Sequence, residues 1–393
     1  MLELIRGRGR SVYASRNAVN YLNKVIRFVG ITQPRQCRFL YFLYAGLIAC
    51  FILLSPVIFN VGWIRDRNIL SIREILNCVQ ASVNVLGVPI KSVTILLSVN
   101  RLRSVKPLLV ALDARYSAAE DIAKIRRCVI IGNRIVFGYL FSYMTYESLT
   151  VLAALVGGYA PLTLYIPYVD WHRSRWEYWL QVSFDTIALF YILLHQVIND
   201  SYSAVYIYII RTQVQLLTNR VQRLGTAANE SPDETYNELQ ECIITHQEIL
   251  SLMRIVEPVI SATLFVQFLI AAAIMSTTLI NILIFADTTS RIAALAYMYC
   301  VLLQTAPTCY YATYLQSDCE QLSMSIFHSN WMAQGKRFNK LLLYFLHRTQ
   351  DNMPLMALKF VPIDLATNVS IAKFSFSLYT FIRKMGVGKH LNE

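Results

Sequence analysis

The chain has 393 residues, of which 55% are apolar and 15% charged, against about 25% charged residues in an ordinary soluble domain, so its composition argues against a water-soluble fold. Its net charge of +12 comes from basic residues in short segments between apolar stretches. That pattern reads as membrane topology rather than a nucleic-acid surface.

Residues 1–38 contain no apolar run long enough for a signal-peptide core and are expected to remain in the cytoplasm. Seven apolar segments follow, predicted to span near 39–61 (S1), 75–99 (S2), 128–156 (S3), 179–209 (S4), 259–286 (S5), 291–314 (S6) and 364–382 (S7). The predicted fold class is therefore an all-α membrane protein of seven transmembrane helices. Its predicted divisions are a cytoplasmic N-terminal segment (1–38), spans S1–S4 (39–209), a cytoplasmic helical hairpin (210–258), S5–S6 (259–314), a second cytoplasmic helical segment (315–363), and S7 with a short outer tail (364–393).

Lys and Arg number 24 in the segments on the N-terminal side and 9 on the other. Because these residues accumulate on cytoplasmic loops, the N-terminus is expected inside and the C-terminus outside, the reverse of a G-protein-coupled receptor. Two absences agree with that: the loop 157–180 has no cysteine, and S7 lacks Asn-Pro-x-x-Tyr.

From Tyr178 to Leu224 there is neither Pro nor Gly, and a helix of that length would extend about 70 Å against a hydrocarbon core of about 30 Å. S4 is thus predicted to project into the cytoplasm, where Ile207, Ile210, Val214, Leu217, Val221 and Leu224 form one apolar seam. Its partner is either another part of the chain or another subunit. Gly225 ends the helix, and Ser231-Pro232-Asp233-Glu234 reads as a new N-terminus with a capping box. The returning helix presents Leu239, Ile243, His246, Leu250 and Met253, with His246 read as a packed polar residue and Pro258 as a kink. Asp318–Arg348 is predicted to be one further helical segment, with Trp331, Phe338, Leu341, Leu342 and Phe345 available for packing.

S7 is the least hydrophobic span, and Ser370, Lys373, Ser377, Thr380 and Lys384 recur on it at intervals of three and four. Such a stripe either borders water in a pore or bonds to neighbouring helices. A pore built from one helix type requires several subunits. Four copies of Lys373 around one axis would repel cations, a conflict that a mixed assembly relaxes.

The eight cysteines show no metal-ligand or disulfide framework. Phosphate-binding loops, HExxH, G-x-S-x-G and paired metal triads are absent, so neither an enzyme nor a cofactor is expected. The sequons at Asn199 and Asn229 lie in predicted inner regions and should stay unmodified. The two halves show no inverted repeat of the kind found in secondary transporters.

A set of C-terminal residues runs from Cys309-Tyr310 through Ser329-Asn330-Trp331, Leu341-Leu342, Arg348-x-Gln350, Phe360-x-Pro362 and Leu365 to Ser375-Phe376-Ser377-Leu378-Tyr379-Thr380-Phe381-Ile382-Arg383. It resembles the C-terminal third of the insect odorant receptors. The closing pattern has Phe376 where the family usually has Tyr, and it lacks the Thr-Tyr-(x)5-Gln ending of the shared co-receptor and of gustatory receptors. The resemblance is therefore to a ligand-tuning subunit, with a gustatory-type channel subunit or a G-protein-coupled chemoreceptor as alternatives. It implies a heterotetramer with the odorant co-receptor in the plasma membrane of olfactory neuron dendrites, forming a non-selective cation channel opened by small volatile odorants. It also implies that S7 lines the pore, through Ser370, Lys373 and Ser377, with the gate near Tyr379, Thr380 and Arg383.

Family members bind odorants in the outer half of the span bundle. Combined with the orientation above, this selects Leu76, Val79, Gln80 and Val83 on S2, and Tyr143, Tyr146, Glu147 and Thr150 on S3. It further selects Phe184, Ile187, Ala188 and Tyr191 on S4, Met275 and Leu279 on S5, and Tyr297 and Met298 on S6. Glu147 and Asp185 are intramembrane carboxylates, either ligand contacts or acceptors for nearby Tyr and Trp. Lys91, Arg134 and Glu257 are predicted near the cytoplasmic surface, where snorkelling or pairing accounts for them.

Overall fold

A bilayer satisfies no backbone polar group, so apolar segments of this length must close their hydrogen bonds internally as helices. The computed structural model describes residues 14–32, 38–68, 71–225, 231–282, 288–350 and 354–384. A 3-10 turn (Ser15–Val19) leads into α1 (Asn20–Phe28), followed by α2 (Arg38–Arg65), α3 (Ile72–Arg103), α4 (Val105–Asp113), α5 (Ala119–Gly157) and α6 (Arg175–Gln222). Then come α7 (Pro232–Ile280), α8 (Thr288–Phe327), α9 (Lys336–Gln350), a short antiparallel pair β1 (Met356–Ala357) and β2 (Val361–Pro362), and α10 (Leu365–Lys384). Five of them, α2, α3, α5, α6 and α7, are long and apolar enough to cross a membrane. The chain is a helical membrane protein.

The core is organised around α6, which packs most extensively on α5 and α8. From Ala188 onward most of its surface is covered: Ala188, Val197, Ile198, Tyr202, Val205 and Ile209 are all buried. The peripheral α2 instead leaves Phe39, Leu40 and Leu47 exposed, as a helix facing lipid would.

At 48 residues, α6 is more than twice the length that a hydrocarbon core requires. Beyond the bilayer-length portion its seam residues Ile207, Ile210, Val214, Leu217, Val221 and Leu224 are all buried. They share one apolar cluster with Leu239, Ile249 and Met253 of α7, Leu315 and Leu322 of α8, and Phe338, Leu342 and Phe345 of α9. The seam is therefore filled from within the chain. Ion pairs border this cluster: Arg220 with Glu238, Arg223 with Asp121, Arg211 with Asp318, and Arg115 with both Glu241 and Glu248.

The start of α7 is set locally. Ser231 Oγ accepts from the Glu234 amide, and the Glu234 carboxylate accepts from the Ser231 amide at 2.8 Å, which closes the capping box. Pro258 lies inside α7 without ending it. The expected single helix over Asp318–Arg348 is divided: α8 stops at Phe327 and α9 begins at Lys336. The intervening Ser329, Asn330 and Gly335 favour turns, and the Trp331 indole N–H donates to the Phe327 carbonyl at 3.1 Å, capping the end of α8.

The N-terminal segment is built into the bundle. Asn133 accepts from the Tyr21 amide and donates to the Asn17 carbonyl, and Gly132 lets the backbone of Ala18 approach so closely that a Cβ would meet it at 2.9 Å.

Candidate functional site

A cavity of about 410 Å³ lies between α3, α5, α6 and α8, within the size range of small-molecule sites. Its wall is aromatic and aliphatic, with Tyr139, Tyr143, Tyr146, Val88, Ile192 and Tyr297 among the lining residues. Asn84, Gln196 and Gln304 add amides, and Arg134 lines it from α5. Arg134, expected near the cytoplasmic surface, is exposed on α5 and also borders the cavity.

Of the residues selected from sequence, Tyr143, Tyr146 and Tyr297 line this cavity. The lining set is displaced along all four helices in one sense, toward Arg103 of α3, Ala119 of α5, Gln222 of α6 and Phe327 of α8. Val83, Met275, Tyr297 and Met298 come together in an adjoining apolar cluster between α3, α7, α8 and α10, with Tyr297 shared between the cluster and the cavity. Ala188 packs with Phe59 and Leu164, while Phe184 and Ile187 are exposed. Tyr191 stacks on Phe28 and its hydroxyl lies 3.5 Å from that of Tyr44. Gln80 and Glu147 are buried, and with Leu76, Val79, Thr150 and Leu279 they lie outside the lining set.

Asp185 has a defined structural task. Its carboxylate accepts from the backbone amides of Leu162, Thr163 and Leu164 at 3.0–3.3 Å and from the Gln181 side chain at 2.9 Å. The loop so held also donates from the Tyr165 amide to the Ile58 carbonyl on α2. Gly62 is required there, because a Cβ would come within 2.0 Å of the Thr163 carbonyl oxygen. This loop packs between α2 and α6 beside Ala188.

Beside the cavity lies a charged network that the sequence reading does not anticipate. Lys91, expected near the cytoplasmic surface, is 1% exposed. Its ammonium donates to Asp200 at 3.0 Å and to Gln267 at 2.6 Å. Gln267 donates in turn to the Gln304 side chain at 2.7 Å, and the Tyr143 hydroxyl donates to the other Asp200 oxygen at 2.6 Å. Five helices, α3, α5, α6, α7 and α8, are thereby joined through one set of hydrogen bonds. Twelve residues separate Lys91 from Arg103, about 18 Å of helix, too far for its side chain to reach water at that end. The signal available in the sequence is an acidic residue within an apolar segment: Asp200, like Asp185, falls within the stretch predicted as S4.

On α10, Ser370, Lys373 and Ser377 are exposed and Thr380 is half-buried, whereas Ser375 is buried against α7. The side chains of Tyr379 and Arg383 lie outside the described residues. Val369, Phe374, Phe376 and Phe381 are also exposed. At 100° per residue, the polar stripe is flanked on both sides by these apolar positions. Among the described residues no cluster suited to a metal ion is found, and seven cysteines are free thiols.

The sequence pattern of the family described as 7tm odorant receptor matches residues 71–376. Odorant receptor 42a of Drosophila melanogaster is 34% identical over 96% of this chain and 93% of its own length, and Odorant receptor 42b of the same organism is 31% identical over 95% and 94%. The fold is similar to that of the insect olfactory receptor OR5 from Machilis hrabei, with a TM-score of 0.78 at 14% identity, covering 93% of this chain and 97% of that one. The structure of OR5 in complex with eugenol is similar at a TM-score of 0.75 and 13% identity, covering 94% and 98%. The chain belongs to the insect odorant receptor family.

Proposed function

We propose that this chain is the ligand-tuning subunit of an odorant-gated, non-selective cation channel, assembled as a heterotetramer with the odorant co-receptor. The observation that carries the reading is the cavity of about 410 Å³ walled by tyrosines and aliphatic side chains. It suits a small volatile molecule held by dispersion and shape with a few hydrogen bonds. That OR5 has a structure in complex with eugenol supports the same class of ligand. On this reading the N-terminus is cytoplasmic, α8 and α10 supply the sixth and seventh spans, and α10 lines the pore with Ser370, Lys373 and Ser377, the gate lying near Tyr379, Thr380 and Arg383.

The polar stripe on α10 supports the pore assignment, since hydroxyls and an ammonium facing lipid are costly, and its apolar flanks suit contacts between subunits. The network beside the cavity supplies a route to the pore: Gln304 lines the cavity, Gln267 bonds to it from α7, and α10 packs on both α7 and α8. Ligand drives opening only by binding the open arrangement more tightly than the closed one.

The test is whole-cell recording from cells expressing this chain alone, the co-receptor alone, and both, during an odorant panel with G-protein signalling blocked. A fast cation current confined to the pair is expected. Odorant responses that require G proteins, with surface delivery verified, would sink the channel reading.

A further inference from the structure

We propose that Gln196 selects for a hydroxyl group on the odorant, so that the favoured ligands are small aliphatic or aromatic alcohols. This rests on the odorant-gated reading and deepens it. Gln196 lines the cavity from α6 and is 3% exposed, yet neither its amide nitrogen nor its amide oxygen has a hydrogen-bond partner among the described residues.

Several other polar groups of the wall are already committed. The Tyr143 hydroxyl donates to Asp200, the Tyr139 hydroxyl donates to the Gln304 backbone carbonyl at 3.2 Å, the Gln304 side-chain oxygen accepts from Gln267, and the Ser142 hydroxyl donates to the Gly138 carbonyl. Gln196, a residue of the cavity wall, therefore carries both a donor and an acceptor that the described fold leaves unmet.

Leaving a buried polar atom unmatched is costly, and the cost falls on both atoms of this amide. A hydrocarbon matches neither. An ether, ketone or ester accepts from the nitrogen but leaves the oxygen without a donor. An alcohol both accepts and donates through one oxygen. A carboxylic acid is ionised at neutral pH, and its carboxylate accepts from the nitrogen but gives the amide oxygen no donor.

The experiment records odorant concentration–response curves from cells expressing the full chain with the co-receptor. The probes are 1-hexanol, methyl pentyl ether, 2-hexanone and hexane, with wild type compared against Gln196→Met and Gln196→Glu. Surface labelling establishes that each variant is delivered. Wild type is expected to respond to 1-hexanol at a concentration about tenfold lower than to the ether. Gln196→Met should remove that preference by raising the effective concentration of the alcohol about tenfold while shifting the ether less than about threefold.

Equal shifts for alcohol and ether in both variants, or an unchanged alcohol preference in Gln196→Met, would overturn the role of Gln196 while leaving the odorant-gated reading intact. No wild-type response to any of these probes, with robust current to other odorants, would overturn the alcohol class alone. No wild-type response to any odorant would overturn both.

Discussion

The pair formed by Lys91 and Asp200 is 1% and 2% exposed at its side chains. Charges held this far from water gain their mutual attraction against a large desolvation cost, and removing one partner strands the other. Lys91→Met should therefore destabilise the purified protein by about 3–5 kcal/mol, whereas adding Asp200→Asn to it should restore much of the loss. Thermal unfolding of the two single variants and the double variant in detergent measures this coupling. Additive losses would show that the two residues do not act as a pair.

The same residues mark where sequence reading stops. The helical, membrane-type character of the chain was legible because hydropathy accumulates over about 20 residues. The depth of a single lysine depends instead on which helices surround it. Asp185 was recognised as an intramembrane carboxylate, but its partners lie in a loop 21 to 23 residues away in sequence, and no helical spacing encodes them. Gln196 carried no local signal, since its importance follows from the absence of partners across the described bundle.

Among the elements, the loop between α5 and α6 depends on Asp185 for three backbone amides. In Asp185→Ala those amides lose their acceptor, and the loop should detach from Phe59 and Ala188, where Leu164 is 1% exposed. A cysteine placed by Leu164→Cys should react slowly with a polar maleimide in an otherwise unaltered protein. Combined with Asp185→Ala it should react at least about tenfold faster, measured against the background of the native thiols. Equal rates would mean that other contacts hold the loop.

The helical pair of α6 and α7 was legible through its apolar seam and its capping box, whose reciprocal bonds form as the spacing of Ser231 and Glu234 requires. Its His246 packs edge-on to Phe345 with ring centroids 5.6 Å apart. Burial, with Arg348 adding to it, pushes the His246 pKa down to about 4 from an ordinary 6.5. Between those values the unfolded chain binds the additional proton, so this residue's contribution is complete above pH 6.5 and declines as pH falls toward 4. His246→Leu should flatten the dependence of Tm on pH across that window. An unchanged slope would assign the acid sensitivity to other groups.

At the scale of the assembled molecule, the decisive residue is Lys373. Its place on the exposed stripe of α10 puts a positive charge in the proposed conduction path. A unit charge about 8 Å from a passing cation in water raises its energy by roughly 0.5 kcal/mol, enough for about a twofold effect on conductance. In a mixed channel, Lys373→Gln should therefore raise the single-channel cation conductance about twofold, and Lys373→Glu should raise it further and favour divalent cations. Phe374→Leu, on the apolar flank, should leave conductance near its starting value. Because the proposed odorant cavity lies elsewhere, the effective odorant concentration should change little in the Lys373 variants. A conductance insensitive to the sign of the charge at position 373, with normal odorant responses, would remove this part of α10 from the pore lining and leave its polar stripe to contacts between subunits.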